Sequence, residues 1–312
     1  MHRIGVYTAV ALDIRNYIDT TTVTTVLFTA LKLKNAHIRG IERIGGLTNK
    51  NFKVYLDNAT YVVRIPGPGT GRFINRSHEK ANNLMMSRLK LSPEILYFNK
   101  RNGIKISEFI SRATTYNAEY MRQRENYVKV ARLLKAVHTS PVEFTNEFDV
   151  FRLIDTYENI VHRLKGRFYP DYAAVRREVF SFKEELLCLD TVPCHNDLVP
   201  ENIIEYGEKI CLLDWEYSGM NDPLWDIAGV FAESDFLHEQ QEDFLVEYFA
   251  GSVPYDAMHK IELYRIVMDF LWSIWAIIQM KSNKGEEALA YWNYGLRRYI
   301  RAKETISSLI PV

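Results

Sequence analysis

Two clusters constrain this chain more than any other feature: Cys194-His195-Asn196-Asp197-Leu198-Val199-Pro200-Glu201-Asn202, then Leu213-Asp214-Trp215-Glu216-Tyr217. One short apolar segment separates them. Asp197 is followed five residues on by Asn202, and Asp214 comes twelve residues after that. Carboxylate, amide and carboxylate at this spacing suit phosphoryl transfer. That chemistry needs a base near an acceptor hydroxyl and oxygens that clamp the magnesium neutralising the phosphates. Asp197 is the candidate base, or the group that orients the hydroxyl. Asn202 offers a neutral amide oxygen and Asp214 an anionic one, and magnesium takes few, hard oxygen ligands from protein. An Asp after a strand is commonly only a turn or cap residue; the joint spacing is what singles out these three.

The rest of the composition narrows the partner. Thirty-nine basic and 39 acidic residues cancel, so no global field draws the chain to nucleic acid or to an anionic membrane surface. A small molecule is the expected partner, and the sequence does not fix an oligomeric state. Cys188, Cys194 and Cys211 form neither a metal-type pair nor an even disulfide set, which suits a reducing, cytoplasmic compartment. The apolar patch from Ile4 to Leu12 is closed by Asp13 and followed by threonines, unlike a signal peptide. The apolar run from Phe270 to Met280 is too short to span a bilayer, so no membrane insertion is expected.

Periodicity divides the chain into an α+β arrangement of two lobes. Residues 1–36 form an amino-terminal extension or helix of low propensity, with threonines from Thr20 to Thr25. Residues 37–111 form a small antiparallel-sheet lobe. Its strands run Ile41 to Ile44, Asn51 to Leu56 and Tyr61 to Ile65, then a helix from Asn75 to Leu89 carries Glu79, and two short strands lie near 94–98 and 104–109. Residues 112–312 form a larger helical lobe. Helices are expected over 118–138, 148–164, 171–189, 225–231, 240–249, 255–279 and 286–308, interrupted by two short strands within 192–216.

The run Leu213-Asp214-Trp215-Glu216-Tyr217-Ser-Gly-Met-Asn221-Asp-Pro-Leu-Trp225-Asp226-Ile227-Ala228 resembles the signature of the choline/ethanolamine kinase family, within the wider aminoglycoside-phosphotransferase-like kinases. The resemblance extends through Gly45-Gly46-Leu47-Thr48-Asn49, Arg64-Ile65-Pro66-Gly67, the Glu79 helix, Leu134 to His138 and Trp272 to Gln279. It implies a two-lobed protein-kinase-like fold, with ATP and Mg2+ as cofactors and choline as acceptor. Gly45 and Gly46 lie between two strands, where backbone N–H groups can approach phosphate oxygens, and Thr48 and Asn49 add side-chain donors. Arg64 shares a strand face with Val62, opposite Tyr61, Val63 and Ile65. The resemblance implies that Arg64 meets the ATP phosphates and that Glu79 holds it. It also assigns adenine to the backbone of the segment containing Ser107 and Phe109.

Choline carries a quaternary ammonium without hydrogen-bond donors, best held by aromatic faces. Tyr217 belongs to the signature, Trp272 and Trp275 can share one helix face, and Tyr294 falls where the family places another aromatic wall. His195 and Asp226 are expected to brace the loop that carries Asp197. Ethanolamine, thiamine or another amino alcohol is the nearest alternative acceptor. An aminoglycoside would need a more acidic groove. A catalytically silent nucleotide- or choline-binding module is the alternative from another class, and it would be expected to lack one of Asp197, Asn202 and Asp214.

Overall fold

A computed structural model describes residues 14–309, apart from Asn35, Leu47 and Pro68. The apolar patch over residues 4–12 lies outside the described residues. Internal contacts divide the chain into two compact units. The first comprises the described residues up to Thr70 together with Pro93–Ile110; the second comprises Gly71–Ser92 and the described residues from Ser111 onward. The Gly71–Ser92 segment, which the sequence groups with the sheet lobe, thus packs within the helical unit.

The first unit contains α1 (Ile14–Leu31), β1 (Ile38–Arg43), β2 (Lys50–Leu56), β3 (Thr60–Ile65), β4 (Ile95–Phe98) and β5 (Lys105–Glu108). Its strands form one antiparallel sheet in the order β1-β2-β3-β5-β4. The register places Phe52 opposite Val63, and Val63 opposite Ile106. Those three, with Val54, bury one sheet face against Val23 and Leu27 of α1. Each such side chain contributes roughly 1.5–3 kcal/mol when fully buried. This docking explains why the threonine-rich segment is helical: tertiary burial outweighs weak intrinsic propensity. The alternation leaves Arg64 on the other face, opposite Asn51 and Lys105.

The second unit begins with α2 (Arg76–Arg88), whose N-cap Asn75 accepts from the N–H groups of Ser77 and His78. It continues through β6 (Thr114–Thr115), α3 (Ala118–Met121), α4 (Arg124–His138), α5 (Val150–Arg163) and α6 (Tyr172–Ser181). Then come β7 (Val192–Cys194), β8 (Ile203–Tyr206), β9 (Lys209–Leu212) and β10 (Gly219–Asn221), and finally α7 (Pro223–Ser234), α8 (His238–Tyr248), α9 (Ala257–Ser282) and α10 (Gly285–Leu309). α9 is buried on nearly every face from Ile261 to Gln279, and α5, α7 and α10 pack around it.

Two expected helices differ from the pattern. The segment 118–138 is two helices, because the Asn126 amide donates to the Tyr120 carbonyl at 2.8 Å and ends the first one. The helix expected over 171–189 stops at Ser181, where the Phe182 and Lys183 N–H groups tighten to three-residue bonds on Val179 and Phe180.

Candidate active site

A hairpin assembles the centre. β8 and β9 pair antiparallel with Ile203 opposite Leu212, and the Leu213 N–H donates to the Asn202 carbonyl at 2.7 Å. Asn202 therefore lies across from Leu213, one residue before Asp214. β7 pairs with β10, Cys194 facing Gly219, which anchors both ends of the segment bearing Asp197, Asn202 and Asp214.

The Asp197 loop is held by buried polar groups. Asp226 accepts from the His195 N–H at 2.8 Å and from the Asn196 N–H at 2.7 Å. Its Oδ2 also lies 3.1 Å from His138 Nε2. Asn196 sits in the left-handed region at φ 67°, a conformation Asn tolerates. The Asn221 amide donates to Asn196 Oδ1 at 2.9 Å, and Asn196 Nδ2 donates to the Tyr217 carbonyl at 3.1 Å. His195 Nε2 donates to the Leu213 carbonyl at 2.6 Å, so Nδ1 accepts from the Asp197 N–H at 3.3 Å. This is a neutral imidazole in one tautomer. Burial pushes the His195 pKa down, although the negative charge of Asp226 pulls the other way.

Asp197 is surrounded by negative charge. Burial, then Glu216, Asp214 and Glu233, push its carboxyl well above the usual range, while Arg298 pulls it back. Glu79, Asp214 and Glu216 bring carboxylate oxygens within 4.8 Å of one another. Arg76 enters that group: its Nη1 lies 2.7 Å from Glu79 and 3.0 Å from Glu216. Asn202 Nδ2 donates to the Asp197 carbonyl at 3.0 Å, which fixes the amide and assigns its Oδ1 the acceptor role. An all-oxygen donor set of an amide and carboxylates fits a hard divalent cation such as Mg2+.

Next to this centre runs a series of aromatic rings. Tyr217 meets Trp272 edge-on at 5.4 Å, Trp272 meets Trp275 at 6.2 Å, and Trp275 meets Tyr294 at 6.1 Å. Trp272 and Trp275 are one turn apart on α9. The Tyr217 hydroxyl shares a hydrogen bond of 2.8 Å with that of Tyr157, which is fully buried. Burial pushes Tyr294 up to about 12, and the charges of Glu233 and Asp197 act in the same direction.

The remaining sequence candidates belong to the first unit. Gly45 and Gly46 both have positive φ, and a Cβ on Gly46 would fall 2.1 Å from the Asn49 carbonyl oxygen. A Cβ on Gly67 would fall 2.0 Å from that of Thr48, so the turn is closed tightly over its own backbone. Asn49 is buried and Thr48 half-buried. Arg64 is buried, with Nη2 donating to the Gly103 carbonyl at 3.0 Å and Cζ 5.7 Å from the Phe98 ring centre. Ser107 is buried on β5, and the Phe109 N–H donates to the Thr60 carbonyl at 3.3 Å.

Four residues near the centre escape the sequence reading: Arg76, Tyr157, Glu233 and Arg298. Two of them carry a local signal in hindsight. Arg76 precedes Glu79 by one helical turn, and Arg298 follows Tyr294 by one. Tyr157 and Glu233 lie on helices whose spacing alone reads as ordinary core and surface.

The fold is that of the protein-kinase-like phosphotransferases. The complex of aminoglycoside 2'-phosphotransferase-IIIa with GDP superposes with a TM-score of 0.67 at 12% identity, covering 92% of this chain and 97% of that one, a likeness of fold. More specifically, the chain belongs to the choline/ethanolamine kinase family, whose model matches residues 41–250. It is similar to choline kinase LicA from Streptococcus pneumoniae, with a TM-score of 0.80 and 33% identity over 94% of this chain and 99% of that one. Protein LicA of Haemophilus influenzae is 28% identical over 275 residues, covering 85% of this chain and 79% of the relative. Among the described residues no helix is long and apolar enough to cross a membrane.

Proposed function

We propose that this chain transfers the γ-phosphoryl group of ATP to the hydroxyl of choline, giving phosphocholine and ADP. The observation that carries the choice of acceptor is the ring series Tyr217, Trp272, Trp275 and Tyr294, whose two end members both feel the Asp197 charge. Aromatic faces bind a methylated cation without needing hydrogen bonds from it, and their attraction grows in a desolvated pocket. A cation held there is favoured by the negative charges of Asp197 and Glu216, both of which act on Tyr217. Its positive charge also returns Asp197 toward the ionised form that accepts or orients the hydroxyl proton.

Asn202 and Asp214 are the residues that would hold Mg2+, with Glu79 and Glu216 beside them. When bound, the ion supplies neutralisation of the phosphate charge. For the first unit, we assign the phosphates to Gly45, Gly46, Thr48, Asn49 and Arg64, and the adenine to the backbone at Ser107 and Phe109. The assignment of Arg64 rests on a buried cation on a strand face, and that of the glycines on positive φ at Gly45 and Gly46 and on a turn in which a Cβ at Gly46 would collide with the Asn49 carbonyl, so the backbone there is bare of side chains. Free thiols at Cys188, Cys194 and Cys211 suit a cytoplasmic enzyme that draws on ATP.

ADP release by the purified protein with magnesium and ATP, measured across choline, ethanolamine, thiamine and an aminoglycoside, tests the proposal. Turnover is expected to be strongest with choline. Preference for another acceptor would overturn the reading of the rings, and inactivity with all four would overturn the catalytic assignment.

A further inference from the structure

We infer that Arg298 is a specificity-determining residue that tilts the acceptor pocket toward a quaternary ammonium and away from a primary one. This rests on the rings being the acceptor pocket. Arg298 is only 7% exposed and lies on α10 one turn after Tyr294. Its Cζ is 5.1 Å from the Tyr294 ring centre, its Nη1 donates to Asp269 at 2.8 Å, and its Nη2 donates to Glu233. Arg301 adds a fork onto both Asp269 oxygens, each contact 2.6 Å. One side chain thus joins α7, α9 and α10 at the Tyr294 end of the ring series. Asp269 stands one turn before Trp272 on α9.

Two carboxylates, Glu233 and Asp269, meet two guanidiniums, Arg298 and Arg301, so this end of the pocket is electrically balanced before any acceptor arrives. A primary ammonium enters with three N–H donors and loses the water that satisfied them; donors left unpaired in a buried site are costly. Glu233 is the carboxylate at the Tyr294 end that could accept them, and Arg298 already engages it. A quaternary ammonium brings no donors and needs only the ring faces. Arg298 therefore withholds Glu233 from an ethanolamine-like acceptor at little cost to choline. Without the guanidinium, Glu233 becomes an uncompensated acceptor that a primary ammonium can pair with.

The test is kcat/KM for choline and for ethanolamine in the wild-type protein and in Arg298→Met, which keeps the stem and removes the charge. The choline-to-ethanolamine ratio is expected to fall by about tenfold or more, mainly through a lower KM for ethanolamine. Arg298→Lys should keep most of the wild-type ratio. Equal losses on both acceptors with an unmoved ratio would show Arg298 to be structural only and would overturn the inference. Glu233→Gln provides a reading that does not depend on Arg298→Met folding. It should lower both acceptors alike, whereas a selective loss of ethanolamine would mean that Glu233 already serves the primary ammonium, which also overturns the inference. A wild-type protein inactive on choline would instead overturn the acceptor reading on which the inference rests.

Discussion

The backbone N–H of Leu213 donates to the carbonyl oxygen of Asn202 at 2.7 Å. This single bond extends the β8–β9 ladder by one step and sets Asn202 across the hairpin from Leu213, the residue before Asp214. The twelve-residue interval between Asn202 and Asp214 in sequence is the length of that hairpin.

Replacing Asp197 by Asn keeps the loop's shape, since the backbone N–H and carbonyl contacts of residue 197 remain. Turnover should fall by about 10²–10⁴-fold, the usual contribution of a positioned base. Nucleotide affinity, read by calorimetry, should stay within a few-fold. Turnover at a tenth of normal or better would show that Asp197 is not the base.

Asp226→Asn places an amide nitrogen where the His195 and Asn196 N–H groups, and His138, now meet carboxylate oxygens. One donor must then face another inside the core, at a cost of about 1–3 kcal/mol. The melting temperature should drop, and kcat should fall more than the KM for either substrate. An unchanged melting temperature would contradict the bracing role.

Stability should depend on pH through His195. Its folded pKa is lowered by burial, and protonating Nδ1 would set two N–H groups against each other at Asp197. The unfolded chain takes up this proton below about pH 6.5 and the folded chain resists it. The contribution is therefore complete above about pH 6.5 and is lost as pH falls toward the lowered folded value, with a limiting slope near 1.4 kcal/mol per pH unit. The carboxyl of Asp226 is held below its usual range, where burial raises it but His138 and the His195 N–H outweigh burial, so its own loss comes only at lower pH. Urea midpoints between pH 7.5 and 5.5 should fall more steeply for the wild-type protein than for His195→Gln. Parallel curves would remove His195 as the source.

Much of the fold was legible in the sequence, because period-two alternation over 51–56 and 61–65 exposes the sheet and the short apolar segment between Asn202 and Asp214 marks strand structure there. The amino-terminal helix was not, since its stability comes from Val23 and Leu27 docking on Phe52 and Val63 and not from propensity. Arg76 and Arg298 were hidden for a related reason. A helical arginine usually reads as a solvated charge, and only the fold shows that Glu216, Glu233 and Asp269 surround these two.

Trp275→Ala removes the ring that touches both Trp272 and Tyr294. A desolvated cation–π contact is worth about 2 kcal/mol, so the KM for choline should rise roughly 30-fold while that for ATP stays near its starting value. Equal effects on the two would place Trp275 in the general core.

The most direct measurement compares choline with 3,3-dimethylbutan-1-ol, which has the same shape and hydroxyl but no charge. If rings and carboxylates around Asp197 select the acceptor by its positive charge, kcat/KM for choline should exceed that for the neutral alcohol by about 100-fold or more. Comparable values for the two would contradict a cation-selecting pocket and leave the rings as ordinary apolar packing.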